Sequence, residues 1–156
     1  MRVRVIAVGT RMPPWTRSAC DEYLKRIRAH FEVSLVEIPT AARSAGGATK
    51  ALAQEGKRLL GALRPSEHVA VLDERGKEFS TRELSAWFAQ RLRSGEPLAF
   101  VIGGPDGLAR EVLARANLAL SLSRLTLPHA LARVLLAEQL YRVTSILTHH
   151  PYHRDG

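Results

Sequence analysis

The stretch Leu98-Ala-Phe-Val-Ile-Gly-Gly-Pro-Asp-Gly107 decides the fold of this chain. Its apolar run indicates a strand, and the glycine-rich turn that follows ends that strand. A second strand, over Leu118, Leu120 and Leu122, runs into the loop Leu122-Ser-Arg-Leu-Thr-Leu-Pro-His129. Adjacent strand-end loops of a parallel sheet are where an α/β protein holds a ligand. A small-molecule site is therefore expected between these two loops.

Strand and helix patterns alternate along the whole chain. The expected strands cover residues 3–8, 32–38, 68–72, 98–102 and 118–122. The expected helices cover about 15–30, 49–63, 80–95, 110–116 and 128–147. Strands separated by helices imply a parallel sheet in a three-layer α/β/α arrangement. The length of 156 residues suits a single domain over residues 1–156.

Local signals support two of these helices. Ala19, Tyr23, Ile27 and Phe31 recur at four-residue spacing, which predicts one face of the first helix. The segment Ser80-Thr-Arg-Glu83 has the pattern of a capping box and marks the start of the third.

The chain is strongly basic, with 23 Lys and Arg residues against 15 Asp and Glu, and a net charge of +8. The excess is concentrated in the first thirty residues. A basic patch predicts a polyanionic partner, although an arginine-rich chain can also reflect genomic base composition. The residues expected to contact phosphate groups are Arg2, Arg4, Arg17, Lys25, Arg26 and Arg28.

The remaining bulk features favour a cytoplasmic protein. Cys20 is the only cysteine, so no disulfide can form within the chain and a reducing compartment is expected. The N-terminal apolar run is short and interrupted by Arg4, which does not fit a signal peptide. No apolar stretch approaches the length of a membrane span.

Each of the two loops leaves an ordinary structural alternative open. The turn Gly103–Gly107 lets a backbone approach a ligand closely, but it could equally be a plain tight turn. It is not a dinucleotide fingerprint, because the G-x-G-x-x-G spacing is absent and Pro105 removes an N–H group that a phosphate would use. The Leu122–His129 loop could line an apolar slot for a flat ring, or its leucines could belong to the core.

The C-terminal segment His149-His-Pro-Tyr-His-Arg154 offers an aromatic ring, imidazoles and a guanidinium. These groups can stack on and hydrogen-bond a nucleobase. Its histidines do not predict a metal site, because Pro151 and Tyr152 break helical spacing and only Asp155 supplies a nearby carboxylate. A docked tail that serves a partner's base or phosphate is expected, with a disordered basic tail as the alternative.

The long helix over residues 128–147 is apolar around more than one side. Leu131, Val134 and Leu135 lie on one side, and a second set lies on another, namely Leu136, Leu140, Val143 and Leu147. A helix with such wide apolar coverage is buried on both sides. One side would then face the chain's own core and the other a second subunit, which predicts a homodimer, against the alternative of a simply well-buried helix.

Five motifs of this chain occur in the same order in the RlmH (YbeA-like) proteins. They are Ala7–Thr10, Ile102–Leu108, Leu125–His129, Ala137–Arg142 and His150–Arg154. The chain resembles this family, which comprises 23S rRNA pseudouridine N3-methyltransferases of the SPOUT class, over its whole length. No pattern for Ser-His-Asp hydrolysis, zinc proteolysis or C-x-x-C redox chemistry competes with this identification.

The resemblance implies a SPOUT-type fold with a C-terminal trefoil knot, which general rules of chain connection do not anticipate. It also implies a homodimer and S-adenosylmethionine (SAM) as cofactor. Carried over position by position, the cofactor contacts are Leu72, Gly103, Leu122, Ser123, Arg124, Leu125, Thr126 and Leu127. Tyr152, His153 and Arg154 of the tail would complete the active site across the dimer. The chain departs from the family pattern in the bulky charge of Arg124 and in Asp155 and Gly156 after Arg154.

The reaction implied is methyl transfer to N3 of a pseudouridine, position 1915, in 23S rRNA of the large ribosomal subunit. His129 and His153 are the candidate general bases, and Arg154 is a candidate for stabilising the developing anion of the base. The alternatives are a non-catalytic RNA-binding protein of ribosome assembly and a nucleotide binder of ordinary Rossmann type, which the missing fingerprint disfavours.

Overall fold

The computed structural model describes residues 1–43 and 46–154, and Asp155 and Gly156 lie outside this range. The strands are Arg2–Val8 (β1), Glu32–Ile38 (β2), His68–Glu78 (β3), Leu98–Ile102 (β4) and Leu118–Ser121 (β5). The helices are Pro14–Ile27 (α1), Gly47–Ala62 (α2), Thr81–Ser94 (α3), Arg110–Arg115 (α4) and His129–Leu147 (α5). All pairings in the sheet are parallel, in the order β2-β1-β4-β3-β5. The expected parallel α/β architecture is therefore confirmed, and the trefoil knot stays a prediction.

Helices cover both faces of the sheet. On one face α1, α3 and α5 pack against Phe100 and its neighbours, and on the other α2 and α4 pack against Val101. Successive residues of β4 point to opposite faces, and all five are buried. A central parallel strand needs apolar residues on both sides, which explains the uninterrupted Leu98–Ile102 run.

The first helix buries a different face from the one expected. Its buried residues are Thr16, Cys20, Leu24 and Ile27. The expected stripe shares only Ile27 with this set, and Phe31 lies beyond the end of the helix. Tyr23 and Phe31 of the expected stripe are nevertheless partly buried against the same core, so the stripe lies at the edge of the buried face.

The expected capping box at α3 is present. The Ser80 N–H donates to Glu83 Oε2 over 2.7 Å, and the Glu83 N–H donates to Ser80 Oγ over 3.2 Å. Hydrogen bonds from the backbone and the side chain of Ser80 to the Glu83 carboxyl lower the pKa of that carboxyl. A glycine with φ +72°, Gly95, ends the helix.

The third strand is longer than expected. It pairs with β5 up to Leu72, leaves the register, and pairs again from Lys77. At Gly76 a Cβ would lie 2.6 Å from the carbonyl oxygen of Ala119, so glycine allows the two backbones to approach. Because β3, β4 and β5 are parallel, the loops after Ile102 and Ser121 lie at the same edge of the sheet.

Candidate functional site

A cavity of about 330 Å³ opens at the carboxyl edge of the sheet, between the ends of β3, β4 and β5. Seven of the eight residues expected to contact the cofactor line this cavity, which we call the main cavity. They are Leu72, Gly103, Leu122, Ser123, Leu125, Thr126 and Leu127. Its wall also contains two carboxylates, Asp73 and Glu74, and the candidate base His129. The structure therefore brings the glycine turn, the leucine-rich loop and the end of β3 together.

Arg124 is the expected contact that does not line the main cavity. Its side chain is 87% exposed, and its nearest carboxylate oxygen, on Glu78, is 4.0 Å away. Neighbouring residues shape the loop instead. The Ser121 hydroxyl donates to the Ser123 carbonyl over 2.9 Å, and Ser123 Oγ accepts from the Leu125 N–H over 2.9 Å. Any contribution of Arg124 to the cavity is through the loop backbone rather than its guanidinium.

The glycine turn is closed by its own backbone. The Gly107 N–H donates to the Gly104 carbonyl over 3.1 Å, and Gly107 has a φ of +82°. A Cβ placed on Gly103 would lie 2.5 Å from the carbonyl oxygen of Gly107. Glycine is thus required at position 103 by the turn itself, before any ligand is considered.

His129 is fastened to this turn. Its Nδ1 lies 2.7 Å from the Gly103 carbonyl oxygen, and its Nε2 accepts a hydrogen bond from Arg133 Nε over 2.8 Å. A carbonyl can only accept and a guanidinium can only donate, so the proton is on Nδ1 and the ring is neutral. Burial, with the charge of Arg133 as the second cause, lowers the pKa of His129. Both ring nitrogens are therefore occupied, which favours a positioning role over proton abstraction.

Arg133 extends the connection to the first two strands. Its Nη1 donates to Glu37 Oε2 over 2.7 Å, and its Nη2 donates to the Gly9 carbonyl over 2.7 Å. Its side chain is 2% exposed. Sequence reasoning missed this residue, although an arginine one helical turn after His129 in an apolar helix was an available signal. The arrangement ties the ends of β1 and β2 to the wall of the main cavity.

A second ionic cluster supports the glycine turn from the other side. Arg43 Nε donates to Asp106 Oδ2 over 2.9 Å, and Arg43 Nη1 donates to Glu55 Oε2 over 2.9 Å. The Glu55 side chain is 2% exposed and also accepts from the Ala41 N–H. Hydrogen bonds that Arg43 donates to the Glu55 and Asp106 carboxylates raise the pKa of its guanidinium. The turn is thereby anchored through Asp106 to a buried carboxylate on α2.

The C-terminal tail docks against the far end of α5. The Tyr152 ring lies 4.5 Å from the Tyr141 ring and under the Arg142 guanidinium, which is 4.8 Å from its centroid. The Tyr152 hydroxyl donates to Glu138 Oε1 over 3.1 Å. Burial is the largest cause raising the pKa of Tyr152 to about 12, followed by its hydrogen bond to Tyr23. His153 Nδ1 lies 3.4 Å from Arg142 Nη1, and Arg154 is exposed.

The tail folds back along the C-terminal half of α5, where its Tyr152 hydroxyl reaches Glu138. Glu138 is nine residues from His129, roughly 14 Å at 1.5 Å per residue. Within one chain the structure brings His129 to the main cavity but does not bring Tyr152, His153 or Arg154 there.

The basic N-terminal cluster is only partly available to a partner. Arg4 is buried, and its Nη1 donates to Glu67 Oε1 over 2.8 Å, so its expected contact with phosphate is wrong. Arg2 and Arg26 form ion pairs at the surface with Glu32 and Glu22. Such exposed pairs are screened by salt and can exchange for phosphate.

The described residues, 1–43 and 46–154, contain no helix with the length and hydrophobicity to cross a membrane. They also contain no group of three or more His, Cys, Asp or Glu side chains placed to hold a metal ion.

Comparison with known proteins identifies the family. A family model described as a predicted SPOUT methyltransferase matches residues 1–153. Two proteins named "Ribosomal RNA large subunit methyltransferase H", from Alkalilimnicola ehrlichii and Thiobacillus denitrificans, are 50% and 47% identical to this chain. Each alignment covers 99% of this chain, and 99% and 100% of the respective relatives.

Solved structures agree on the fold. A probable methyltransferase from Bordetella pertussis Tohama I matches with a TM-score of 0.59 and 20% identity, over 91% of this chain and 93% of that one. A putative methylase family protein from Neisseria gonorrhoeae matches with a TM-score of 0.54 and 14% identity, over 97% of this chain and 95% of that one.

By the family model and the full-length relatives, the chain belongs to the SPOUT methyltransferase family, and within it to the RlmH proteins that its motifs resemble.

Proposed function

We propose that this protein uses SAM to methylate N3 of a pseudouridine, position 1915, in 23S rRNA of the large ribosomal subunit. The observation that carries the proposal is the main cavity, in which seven of the expected cofactor positions meet at one edge of the sheet. The names of the full-length relatives support ribosomal RNA of the large subunit as the substrate. Ribosomes are cytoplasmic, so the same location is proposed for the enzyme.

The lining of the main cavity fits SAM. Leu72, Leu122 and Leu127 supply apolar walls for a flat adenine, and the glycine turn exposes backbone groups that can hydrogen-bond its edge. Asp73 and Glu74 place negative charge where a ribose hydroxyl, an ammonium or a sulfonium group can meet it. When bound, SAM supplies an activated methyl group on a positively charged sulfur.

The protein's own part in the reaction is to position the target base, to remove its N3 proton and to stabilise the anion that forms. His129 would hold the Gly103 carbonyl in place, because its nitrogens are both engaged. Tyr152, with its raised pKa, stays protonated at neutral pH, and its ring, packed against Tyr141 and under Arg142, would hold the tail in place. His153 is then the better candidate for the base, and Arg154 for stabilising the anion that forms at N3.

A homodimer is part of this proposal. Leu131, Val134 and Leu135 of α5 are only partly buried within one chain, and Leu125 in the cavity loop is 74% exposed. Antiparallel packing of α5 against its copy would cover this apolar surface and carry the partner's tail to the main cavity. Twofold symmetry would form two such composite sites.

Mass spectrometry of rRNA tests the proposed function. A strain lacking the protein should contain unmethylated pseudouridine at the target position, and the wild-type gene should restore the methyl group. Calorimetry should detect SAM binding to the purified protein. A protein that binds ribosomes, does not bind SAM and leaves rRNA unchanged would instead be a non-catalytic assembly factor.

A further inference from the structure

A second cavity, of about 220 Å³, lies between α1, β2 and Arg133 of α5. Its wall includes Met12, Thr16, Arg17, Glu37 and Arg133. None of these residues is among the expected cofactor contacts. Its size is suitable for a single pyrimidine ring rather than for a whole cofactor.

The second cavity adjoins the main cavity. His129 lines the main cavity and Arg133 lines the second one, and these side chains are joined by the 2.8 Å hydrogen bond. The same guanidinium donates to Glu37 over 2.7 Å. Two hydrogen-bonded side chains, His129 and Arg133, therefore connect the wall of the main cavity to a carboxylate that faces the second cavity.

Glu37 is held in a fixed orientation. Its Oε2 accepts from Arg133, whose guanidinium is buried and is itself fixed by the Gly9 carbonyl. The Glu37 side chain remains 30% exposed, which leaves acceptor capacity for a ligand in the cavity. Thr16 in the same wall is 1% exposed, and its Oγ1 has no hydrogen-bond partner among the described residues. Unused hydrogen-bonding capacity on both sides of a cavity suits a polar ring.

We propose that the second cavity receives the target base and that Glu37 accepts a hydrogen bond from its N1–H. This inference rests on the proposed function. Pseudouridine is joined to its ribose through carbon, so N1 carries a hydrogen, whereas uridine presents C5–H at the same edge. N1 and N3 lie on either side of the C2 carbonyl, so a base held at N1 can present N3 toward the main cavity. Glu37 thereby makes the enzyme selective for pseudouridine.

The test compares ribosomes that carry pseudouridine with ribosomes that carry uridine at the target position. In Glu37→Gln the amide oxygen can still accept from Arg133, which turns the amide N–H₂, a donor, toward the base. Loss of a hydrogen bond to a charged acceptor should lower kcat/KM for pseudouridine ribosomes on the order of tenfold to a hundredfold. Uridine has no N1–H, so the rate on uridine ribosomes should fall less than the rate on pseudouridine ribosomes. The affinity of each enzyme for each kind of ribosome is measured as well. Glu37→Gln can then be compared with wild type even where methyl transfer to uridine is too slow to detect.

Glu32→Gln is the matched control, because Glu32 begins the same strand and its exposed side chain pairs with Arg2 at the other end. Glu32→Gln should retain the wild-type preference for pseudouridine ribosomes over uridine ribosomes. An equal loss on both kinds of ribosome, or no loss on pseudouridine ribosomes, would overturn the assignment of Glu37. A wild-type protein that neither binds SAM nor methylates pseudouridine ribosomes would instead refute the proposed function.

Discussion

His129 Nδ1 lies 2.7 Å from the carbonyl oxygen of Gly103, and this hydrogen bond joins the first turn of α5 to the glycine turn after β4. The other ring nitrogen accepts from Arg133, which also binds the ends of β1 and β2. The neutral imidazole therefore links the ends of β1, β2 and β4. The geometry of the main cavity therefore depends on a histidine that is not free to exchange protons.

The first prediction concerns pH. The pKa of His129 is below its ordinary value of 6.5, so above that pH the ring is neutral in both the folded and the unfolded chain. As the pH falls, the unfolded chain takes up the proton first. The stability that this group contributes is therefore lost between pH 6.5 and the lower pKa of the folded state. Thermal unfolding between pH 8 and pH 5 should show this loss.

His129→Asn is the control for this prediction. The asparagine Nδ2–H can replace the Nδ1–H donor to Gly103 but does not titrate. The variant should keep SAM affinity within several-fold and show a smaller loss of stability below pH 6.5. His129→Leu, which cannot donate, should bind SAM far more weakly. Parallel pH profiles for wild type and His129→Asn would contradict the assigned protonation state.

The second prediction concerns Gly103. A Cβ at this position would enter the space of the ligand and would also meet the backbone of Gly107. Gly103→Ala should therefore both lower the melting temperature and abolish SAM binding. Gly61→Ala is the control, because nothing lies within 4 Å of a Cβ there and the residue is within α2. It should stabilise by about 1 kcal/mol or less. Normal SAM binding by Gly103→Ala would exclude the main cavity as the SAM site.

The third prediction concerns Arg43. Arg43→Ala removes the ion-pair partner of the buried Glu55 carboxylate and frees Asp106 of the turn. Leaving a buried charge without its partner is destabilising, so the melting temperature should fall by about 5 °C and SAM affinity on the order of tenfold. Arg2→Ala breaks an exposed pair and should change neither quantity. If both variants behave alike, Arg43 is only a surface charge.

The strands and the two cavity loops could be predicted from the sequence because their signals are local. The apolar run 98–102 and the glycines after it indicate a strand end without reference to any other part of the chain. The contacts of Arg133 could not be predicted, because its partner Glu37 is 96 residues away and is brought near by the crossing of the chain through the sheet. The burial of the Glu55 carboxylate could not be predicted either, because its partner Arg43 lies outside α2 and is brought to it only by the fold.

The fourth prediction concerns the proposed dimer. Light scattering at micromolar concentration should give the mass of two chains. Leu135→Glu places a charge on the partly exposed side of α5 and should shift the protein to monomers without SAM-dependent activity. Leu113→Glu is the control, because Leu113 is exposed on α4 at the opposite face of the sheet. A wild-type protein with the mass of one chain would refute the composite site.

The fifth prediction concerns the tail. Deleting residues 151–156 should leave SAM affinity within a few-fold, because no tail residue lines the main cavity of its own chain and the partner's tail is proposed to act on the RNA base. Methyl transfer to ribosomal RNA should be almost lost. Arg154→Ala alone should lower turnover on the order of a hundredfold, since a preorganised charge at the reacting base contributes ~3 kcal/mol. Tyr152→Phe keeps the ring that packs on Tyr141 and should retain most activity, because the hydroxyl is protonated at neutral pH.

Mixing variants separates a tail that acts across the dimer from one that acts within its own chain. Arg154→Ala lacks the proposed anion stabiliser, and Gly103→Ala lacks the cofactor cavity, so each homodimer should be nearly inactive. In a mixed dimer, the intact tail of the Gly103→Ala chain would meet the intact cavity of the Arg154→Ala chain. Coexpressed chains that recover activity at one site in such a dimer would support the composite site. A mixture that stays inactive, although mass spectrometry detects the mixed dimer, would place the tail's function within a single chain.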